Sequence, residues 1–390
     1  MIKKPLALLL TPFVFAASLF PGVSSAEISP LVSDSVLSAN FGPAPVLPEP
    51  PEAGEPVLTP LPDRGLKGDF TAVPEYSFGY LNDLVVKAVN AGARTFDGAI
   101  FSITMKDIPD AIMAARARGV RARLIIDESH VYPRMDTQIK RMIQDGVNIR
   151  TLRGTRSYGV MHNKITIHDG ELVTVGSYNW TFGATFSSHE NVMVARHPIY
   201  VDGYRRYFEW MWNQSRLASS PDSQAPPAGP VPTDPSPSLY FNGAYLPRYA
   251  FSPRGGTEAA IIKAIDAFRS EIKIAMFTLT SEPIMSALVR ASSRGVSVKL
   301  MHNAGSSFPF FGDALKNRFD LRFSPGRTER GQMHNKFAVL DGALLINGAF
   351  NWSATAEEKN AENTIFTAEP YYVQVYAAEF DRLFAASKAP

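Results

Sequence analysis

The chain carries one short polar pattern twice. The first copy begins at Met161-His162-Asn163-Lys164 and the second at Met333-His334-Asn335-Lys336. Thirteen of the thirty-one aligned positions are identical, and most of these are polar residues or glycine. A repeat retained only for packing would match at its apolar positions. His, Lys, Asn and Glu are residue types that bind and attack phosphate, so the pattern indicates an enzyme with one site built from two related halves.

Phosphodiester hydrolysis requires charge neutralisation, an attacking group and a proton donor for the leaving alkoxide. One motif histidine can attack phosphorus and form a covalent phosphohistidine, while the other, protonated, donates to the leaving oxygen. The motif lysines can neutralise the non-bridging oxygens. A glutamate twenty-eight residues after each histidine can orient the imidazole. The residues assigned to these catalytic roles are His162, His334, Lys164, Lys336, Glu190 and Glu362.

Three further side chains are expected to donate hydrogen bonds to the phosphate oxygens, namely Asn179, Asn351 and Ser177. Ala349 occupies the position of Ser177 in the second copy, and this asymmetry favours His162 as the nucleophile and His334 as the acid and base. Lysine is a poor metal ligand, and no Asp or Cys cluster accompanies the His-x-Lys spacing. Two lysines and a cationic histidine already supply positive charge, so we predict no metal and no cofactor.

Asp169-Gly170 and Asp341-Gly342 lie between two apolar runs in each copy. Asp-Gly in that position is a strong signal for a hairpin turn. The aspartates hold a fixed place in the motif and could be catalytic, but the turn interpretation is simpler. We therefore expect a structural or supporting role for Asp169 and Asp341, with the motif histidine and lysine on one face of the first hairpin strand.

The elements around the motif repeat as well. Each block has a helix, a strand, a helix that ends in Arg-Gly-Val and a second strand, an alternation typical of α/β layer folds. The predicted bounds in the first block are Leu81–Ala91, Thr95–Thr104, Asp110–Arg118 and Arg121–Asp127; in the second they are Thr257–Phe268, Glu271–Thr280, Glu282–Arg294 and Ser297–Asn303.

The ends and the middle of the chain have different compositions. A basic start, a short apolar run and small residues up to Ala26 are typical of a cleaved signal peptide, and the run is too short and proline-rich to favour a membrane anchor. Proline-rich stretches predict a disordered leader and a linker. The predicted organisation is 1–26 signal peptide, 27–63 leader, 64–216 first half, 217–238 linker and 239–390 second half.

The charge is divided unevenly along the chain. Without Lys3 and Lys4, 37 basic residues balance 37 acidic ones, but the leader holds six acidic and no basic residues and the linker holds two more acids. The two halves therefore carry about +5 and +3. This mild positive bias suits an anionic substrate but is weaker than that of a dedicated nucleic-acid binder.

Two surface features leave the substrate open. The densest basic cluster is either a solvated helix end or a patch that follows phosphates. An aromatic loop is either core or a contact with a lipid surface or nucleobases. The cluster consists of Arg116, Arg118, Arg121 and Arg123, and the loop carries Phe308, Phe310 and Phe311.

Both motifs have the form His-x-Lys-x4-Asp followed by Gly-[Ser/Ala]-x-Asn, which resembles the phospholipase D superfamily. The resemblance covers about 64–386 and implies an α/β fold of two homologous halves, each a mixed β-sheet flanked by helices, packed with pseudo-two-fold symmetry. It also implies a site at their interface and a phosphohistidine intermediate. The short blocks look most like a compact branch that includes a bacterial endonuclease and a mitochondrial enzyme linked to cardiolipin and small RNAs. Those are homodimers of one block, so this chain resembles a fused dimer and is expected to be a monomer.

The resulting functional prediction is an exported phospholipase D-type phosphodiesterase, periplasmic or secreted, that hydrolyses a phospholipid and could transfer its phosphatidyl group to an alcohol. The alternative is an exported nonspecific endonuclease that uses the same site on DNA or RNA. A third hypothesis is an inactive double domain that only binds phosphates. It is less favoured because both His-Lys pairs and both glutamates are present.

Overall fold

A computed structural model describes residues 58–62, 65–154, 159–220, 229–304 and 317–389. The predicted signal peptide, most of the predicted leader, part of the linker and the loop with Phe308, Phe310 and Phe311 lie outside these ranges. No helix in the described ranges is both long and apolar enough to cross a bilayer.

The first half contains eight strands and five α-helices within the described residues. The strands are β1 (Tyr76–Ser77), β2 (Thr95–Ile100), β3 (Arg121–Asp127), β4 (Asn148–Leu152), β5 (Lys164–His168), β6 (Leu172–Gly176), β7 (Val192–Ala195) and β8 (Arg216–Leu217). The helices are α1 (Leu81–Ala91), α2 (Asp107–Ala117), α3 (Thr137–Asp145), α4 (Phe182–Phe186) and α5 (Pro198–Gln214), and a short 3-10 turn spans Glu128–His130.

The second half repeats this plan after an added hairpin. Its strands are β9 (Leu239–Phe241), β10 (Ala244–Leu246), β11 (Tyr249–Ser252), β12 (Glu271–Met276), β13 (Ser297–Asn303), β14 (Asp320–Ser324), β15 (Lys336–Leu340), β16 (Leu344–Gly348) and β17 (Glu362–Thr367). The helices with described bounds are α6 (Thr257–Ala267), α7 (Glu282–Ser293), α8 (Ala354–Glu358) and α9 (Pro370–Ala386).

The two large sheets have the same topology. The strand order is β1-β7-β6-β5-β2-β3-β4-β8 in the first sheet and β11-β17-β16-β15-β12-β13-β14 in the second. In each sheet three parallel strands pair on one side with an antiparallel meander that carries the motif. Helices α2 and α7 connect parallel strands, as such crossovers require. The predicted α/β fold of two homologous halves with mixed sheets is confirmed.

The predicted bounds of helices and strands agree best with the structure where a glycine marks the turn between them. Strands β3 and β13 begin and end where predicted, each after a helix that stops before Gly-Val. Strands β2 and β12 end at Ile100 and Met276, earlier than predicted, because the following residues leave the ladder and bond to the motif segments. Helix α2 begins at Asp107 rather than Asp110, since Pro109 is tolerated in the first turn of a helix.

One hydrophobic core joins the two halves. It contains side chains of β5 and β15, and the long helices α5 and α9 add Tyr204, Phe208, Tyr376 and Phe380 to it. Each half therefore buries apolar surface that would be exposed in isolation, which favours a fixed interface between the halves. A second cluster packs α1 and α2 on the other face of the first sheet.

The described end of the predicted linker packs on the body of the protein. Val231 and Asp234 are buried, and Gly229 O accepts a hydrogen bond from Trp210 Nε1 at 3.0 Å. Asp234 also accepts from the backbone N of Arg248 at 2.8 Å. Leu217 belongs to β8, so the first half extends slightly beyond the boundary predicted at residue 216.

Candidate active site

The two halves exchange backbone hydrogen bonds next to the motif histidines. His162 N donates to Ala361 O at 2.9 Å, and His334 N donates to His189 O at 3.0 Å. Ala361 and His189 each directly precede the glutamate of their own half. Each histidine is therefore held beside the glutamate of the opposite half.

The histidine–glutamate pairs cross the interface. His162 Nδ1 lies 2.7 Å from Glu362 Oε2, and His334 Nδ1 lies 2.8 Å from Glu190 Oε1. All four side chains are buried. A carboxylate on Nδ1 orients the ring and leaves Nε2 for chemistry. The equal spacing in both copies does not distinguish this crossed pairing from pairing within a copy, so the sequence could not reveal it.

Ser177 supports Glu190 in this structure. Its Oγ donates to Glu190 Oε2 at 2.5 Å and accepts from Asn191 N at 3.1 Å. A hydroxyl has one proton to donate, and here that proton goes to the carboxylate. The expectation that Ser177 donates to phosphate is therefore not met.

Asn360 takes over this task in the second half. Its Nδ2 donates to Glu362 Oε1 at 2.9 Å, whereas the alanine at position 349 offers no hydroxyl. Alanine in place of serine therefore removes the hydroxyl that would bind the glutamate of the second half. The side chain of Asn360 supplies a hydrogen bond to that glutamate instead. The asymmetry no longer gives a reason to prefer His162 as the nucleophile.

The two motif lysines are buried beside the histidines. Lys164 Nζ donates to His162 O at 2.6 Å, and Lys336 Nζ donates to His334 O at 2.5 Å. Burial lowers the pKa of Lys164 to about 8, although the nearby glutamates oppose the shift. Burial also lowers the pKa of Lys336, well below its usual range. An entering phosphodiester anion would favour the protonated form of both.

Charged groups of each half shift the pKa values of site residues in the other half. Burial is the largest cause of a lowered pKa at His334, and the charges of Lys336, Lys164 and His162 lower it further. The pKa of His162 is also lowered, first by burial, but Glu362 opposes this shift. Burial raises the pKa of the Glu190 carboxyl to about 7. Both imidazoles and both lysines therefore influence one another across the interface.

Each motif histidine packs against a phenylalanine that follows the central strand of its half. The ring centroids of His162 and Phe101 are 5.1 Å apart, and those of His334 and Phe277 are 4.7 Å apart. The lysine Nζ atoms lie over the same rings, at 5.2 Å for Lys164 and 4.8 Å for its counterpart. These phenylalanines exclude water from one side of the site, and they lie outside the duplicated motif, so its spacing does not point to them.

His130 is a third histidine near the site, and it too lies outside the duplicated motif. Its ring contacts Phe101 edge to face, with centroids 4.9 Å apart. Burial lowers the pKa of His130, and the charge of Lys164 lowers it further. Its Nε2 is buried and has no hydrogen-bond partner among the described residues. Its place just after the end of β3 was the available signal.

Asn179 and Asn351 lie just beyond β6 and β16, as expected. Both are partly exposed, and their side-chain Oδ1 atoms have no hydrogen-bond partner in the described part of the chain. Their backbone carbonyls accept from Thr181 N and Ser353 N. Phosphate oxygens accept hydrogen bonds, so each side chain would bind phosphate through its Nδ2 group, and both remain candidates for that role.

The other motif asparagines join the halves. Asn363 Nδ2 donates to Asn163 Oδ1 at 2.8 Å, and Asn191 Nδ2 donates to Asn335 Oδ1 at 2.8 Å. The two contacts are related by the pseudo-symmetry, and all four side chains are buried. They explain why asparagine recurs at these positions without assigning it to catalysis.

The motif glycine permits close packing of the strand that follows. A Cβ at Gly176 would lie 2.2 Å from Asn191 O, and one at Gly348 would lie 2.3 Å from Asn363 O. Contacts this short are forbidden, so only glycine lets the segments that carry the asparagines and glutamates approach.

Asp169 and Asp341 form turns at the opposite end of the motif strands. Both have φ near +50° (53° and 49°), the left-handed conformation of the predicted hairpin turn. Asp169 accepts from the backbone N of Ala93, Arg94 and Thr95, at 2.7–2.8 Å. Asp341 makes the same three contacts in the second half. These contacts tie the turn to the strand of the same sheet and agree with a structural role.

The basic cluster is partly a buried ion network. Arg123 is 6% exposed and bonds Asp97 at 2.6 Å and Glu209 at 2.8 Å. Arg121 faces Asp97 at 3.7 Å, and Arg116 faces Asp145 at 3.5 Å. A patch following phosphates needs exposed, unpaired charges, so Arg123 cannot belong to one. In the described ranges, no group of three or more His, Asp or Glu side chains could hold a metal ion.

Comparisons with known proteins match both halves of the chain to one family. The family described as "Cardiolipin synthase, PLD-like domain" matches residues 85–212 and 261–384. A "Mitochondrial cardiolipin hydrolase" from Chlamydomonas reinhardtii is 31% identical over 125 residues, 32% of this chain and 54% of the relative, so the chain spans about half of that protein. A "Phospholipase D" from Rickettsia bellii is 27% identical over 179 residues, 43% of this chain and 79% of the relative.

The fold is shared with a solved bacterial structure. The crystal structure of phosphatidylserine synthase from Haemophilus influenzae superposes with a TM-score of 0.63 at 10% identity, covering 81% of this chain and 87% of that one. At this identity the likeness concerns the fold alone. It spans both halves, consistent with one continuous double-domain body.

Proposed function

Because the chain belongs to the PLD-like domain family and is a phosphodiesterase of the phospholipase D superfamily, we propose that it is an exported phospholipase D that hydrolyses the headgroup phosphodiester of a phospholipid. The names of its relatives, a cardiolipin hydrolase and a phospholipase D, support a lipid substrate. The basic start, apolar run and small residues before Ala26 support export to the periplasm or beyond.

The observation that carries the proposal is the pair of crossed histidine–glutamate contacts in one buried site with two lysines. In the proposed first step, His334 Nε2 attacks phosphorus, the bond from phosphorus to the headgroup oxygen breaks, and protonated His162 gives its proton to that oxygen. We assign the attacking role to His334 because burial and the charges of Lys336, Lys164 and His162 all lower its pKa and so favour the neutral ring that attacks. The pKa of His162 is lowered too, but Glu362 opposes that shift and so favours a proton there.

In the second step, neutral His162 takes a proton from water as the water oxygen attacks phosphorus. The nitrogen–phosphorus bond breaks, and phosphatidic acid leaves with His334 restored. Lys164 and Lys336 compensate the negative charge on the non-bridging oxygens in both steps, and Asn179 and Asn351 donate to the same oxygens. An alcohol in place of water would give phosphatidyl transfer. The protein supplies all of these charges from its own side chains, so the proposed reaction is independent of metal ions.

The alternative function is a nuclease, which would use the same steps on the phosphodiester of DNA or RNA. The assay must therefore distinguish lipid hydrolysis from nucleic-acid hydrolysis. The basic cluster that favoured it loses Arg123 to a buried ion network. The fused halves support a monomeric enzyme, since both histidines of the site come from one chain.

In the test, the full-length protein is incubated separately with phospholipid vesicles and with single- and double-stranded DNA and RNA, all in the presence of EDTA. Headgroup release without nucleolysis is expected, and nucleolysis without headgroup release would overturn the lipid assignment. His162→Asn and His334→Asn should each abolish turnover. His197→Asn is the matched control, because His197 is exposed at the start of α5 and outside the site.

A further inference from the structure

Three large aromatic side chains are exposed beside the candidate site. Tyr80 is 81% exposed, Phe182 65% and Phe186 52%. Phe182 and Phe186 lie one turn apart on α4, with ring centroids 4.7 Å apart. The three residues are called the aromatic ridge below. Helix α4 lies in the chain between Asn179 and Glu190, two residues of the site, so the ridge borders the site.

The ridge has no counterpart in the second half at the two α4 positions. Ala354 and Glu358 occupy the places of Phe182 and Phe186, and Glu358 Oε2 accepts from Arg254 Nε at 3.0 Å. The same short helix therefore folds without exposed rings. Packing does not require the phenylalanines, which leaves their exposure to water unexplained by the fold.

Two cations flank the ridge. Arg327 N donates to Ser187 O at 2.9 Å, and its guanidinium donates to the carbonyls of Thr185 at 3.3 Å and Gly79 at 3.5 Å. Arg327 thus connects α4 to the turn that carries Tyr80, through neutral carbonyl oxygens. Lys106 is exposed and follows Met105, whose backbone N donates to Trp180 O at 3.0 Å just before α4.

We propose that the aromatic ridge, with Lys106 and Arg327, is the surface that binds an anionic phospholipid bilayer and brings the site to its substrate. Apolar rings flanked by basic side chains suit the boundary between headgroups and acyl chains, where aromatic residues are stable. The Phe182 and Phe186 rings are tilted by 51° and touch each other, so they form a closed ridge without a slot for a nucleobase. This inference rests on the proposed phospholipid substrate.

The test is vesicle flotation of full-length protein in the His334→Asn background, which prevents turnover. Phe182→Ser with Phe186→Ser should lower the partition onto phosphatidylglycerol–phosphatidylcholine vesicles by at least about tenfold, because two half-exposed rings no longer transfer from water to lipid. Wild-type binding should weaken on pure phosphatidylcholine vesicles and at high salt. In the active background, the ratio of vesicle hydrolysis to bis(nitrophenyl) phosphate hydrolysis should fall to the same extent.

The chain offers a matched control pair, Tyr240 and Tyr245. Both are 57% exposed, and their ring centroids lie 4.8 Å apart. They belong to the β9–β10 hairpin, where Asn242 Nδ2 bonds Ala267 O near the start of β12. The site lies at the other end of β12, about 20 Å away at the usual rise per residue. Tyr240→Ser with Tyr245→Ser should keep wild-type partition.

Equal vesicle binding by the ridge variant and wild type would overturn the proposal. So would loss of single-stranded DNA binding with vesicle binding intact, which would identify the ridge as a nucleic-acid surface. The two proposals fail separately. Vesicle binding that depends on the ridge, without headgroup release by the active enzyme, would refute only the phospholipase function. Equal headgroup release from vesicles by wild type and the ridge variant would refute only the membrane-binding role of the ridge.

Discussion

The motif aspartate offers a sharp prediction, because its position in the motif suggests catalysis and its contacts indicate structure. Asp169 is fully buried. Its Oδ1 accepts from the backbone N of Arg94 and Thr95, both at 2.7 Å, and its Oδ2 accepts from Ala93 N at 2.8 Å. In Asp169→Asn one oxygen can still accept two of these bonds, but the new NH2 group faces the third N–H and cannot accept it.

The cost follows from these contacts. One hydrogen bond to a charged acceptor is worth about 1.5–3 kcal/mol, and leaving the partly buried N–H of Ala93 unsatisfied adds about 1–3 kcal/mol. We therefore expect Asp169→Asn to lower the free energy of unfolding by about 3–4 kcal/mol, within the range of those two terms. The rate of the folded enzyme should change little, because the turn lies at the far end of the motif strand from His162.

The assay is urea denaturation followed by circular dichroism, with kcat/KM for bis(nitrophenyl) phosphate measured below the transition. Asp341→Asn is the matched control: its three backbone contacts are the same, but it is half-buried. Its loss should be smaller, about 1–2 kcal/mol, because water can satisfy the released N–H. A hundredfold loss of kcat/KM with an unchanged free energy of unfolding would refute the structural assignment and make Asp169 catalytic.

Three further outcomes are expected. The profile of kcat/KM against pH should be bell-shaped: it should rise as Glu190, with a pKa of about 7, ionises, and fall as the acid His162, whose pKa burial lowers, and Lys164, with a pKa of about 8, lose their protons; a flat profile would contradict these roles. Ser177→Ala and Asn360→Ala each remove one hydrogen bond to a catalytic carboxylate, about 1.5–3 kcal/mol, and should lower kcat about tenfold to a hundredfold in steady-state kinetics; unchanged kcat would show that the carboxylates need no such support. Arg123→Ala removes the nearest ion-pair partner of the buried Asp97 and Glu209 carboxylates, although Asp97 keeps its longer contact with Arg121, and should lower the free energy of unfolding by about 3–5 kcal/mol without changing the salt dependence of any DNA binding; a weaker salt dependence would assign this side chain to a phosphate-binding surface.

The repeat and most of the fold could be predicted because their signals are local. Strands Arg121–Asp127 and Ser297–Asn303 each follow a helix that ends in Arg-Gly-Val, and glycine at a helix stop before a β-branched residue marks the turn into a strand. Asp-Gly between apolar runs predicted the turns at residues 169 and 341, whose positive φ values fit. The residue types that gather at the interface were likewise apparent from the duplicated motif.

The partners within the site could not be predicted, because they depend on how the halves dock. A spacing of twenty-eight residues is the same whether Glu362 serves His334 or His162, and only the backbone bonds at Ala361 select the second. The role of Ser177 depended on the same docking, since its carboxylate partner faces the other half. The burial of Arg123 could not be predicted either, because its partner Glu209 lies on a helix distant in sequence.

The central claim is that one imidazole from each half acts on a single phosphorus atom. The most direct measurement is a rapid alkaline quench with a radiolabelled diester that has a nitrophenol leaving group, followed by mapping of the labelled peptide. We expect one acid-labile phosphohistidine at His334. It should be absent in His334→Asn and accumulate in His162→Asn, which lacks the base for its hydrolysis. Absence of label at both histidines, with turnover retained in both variants, would contradict it.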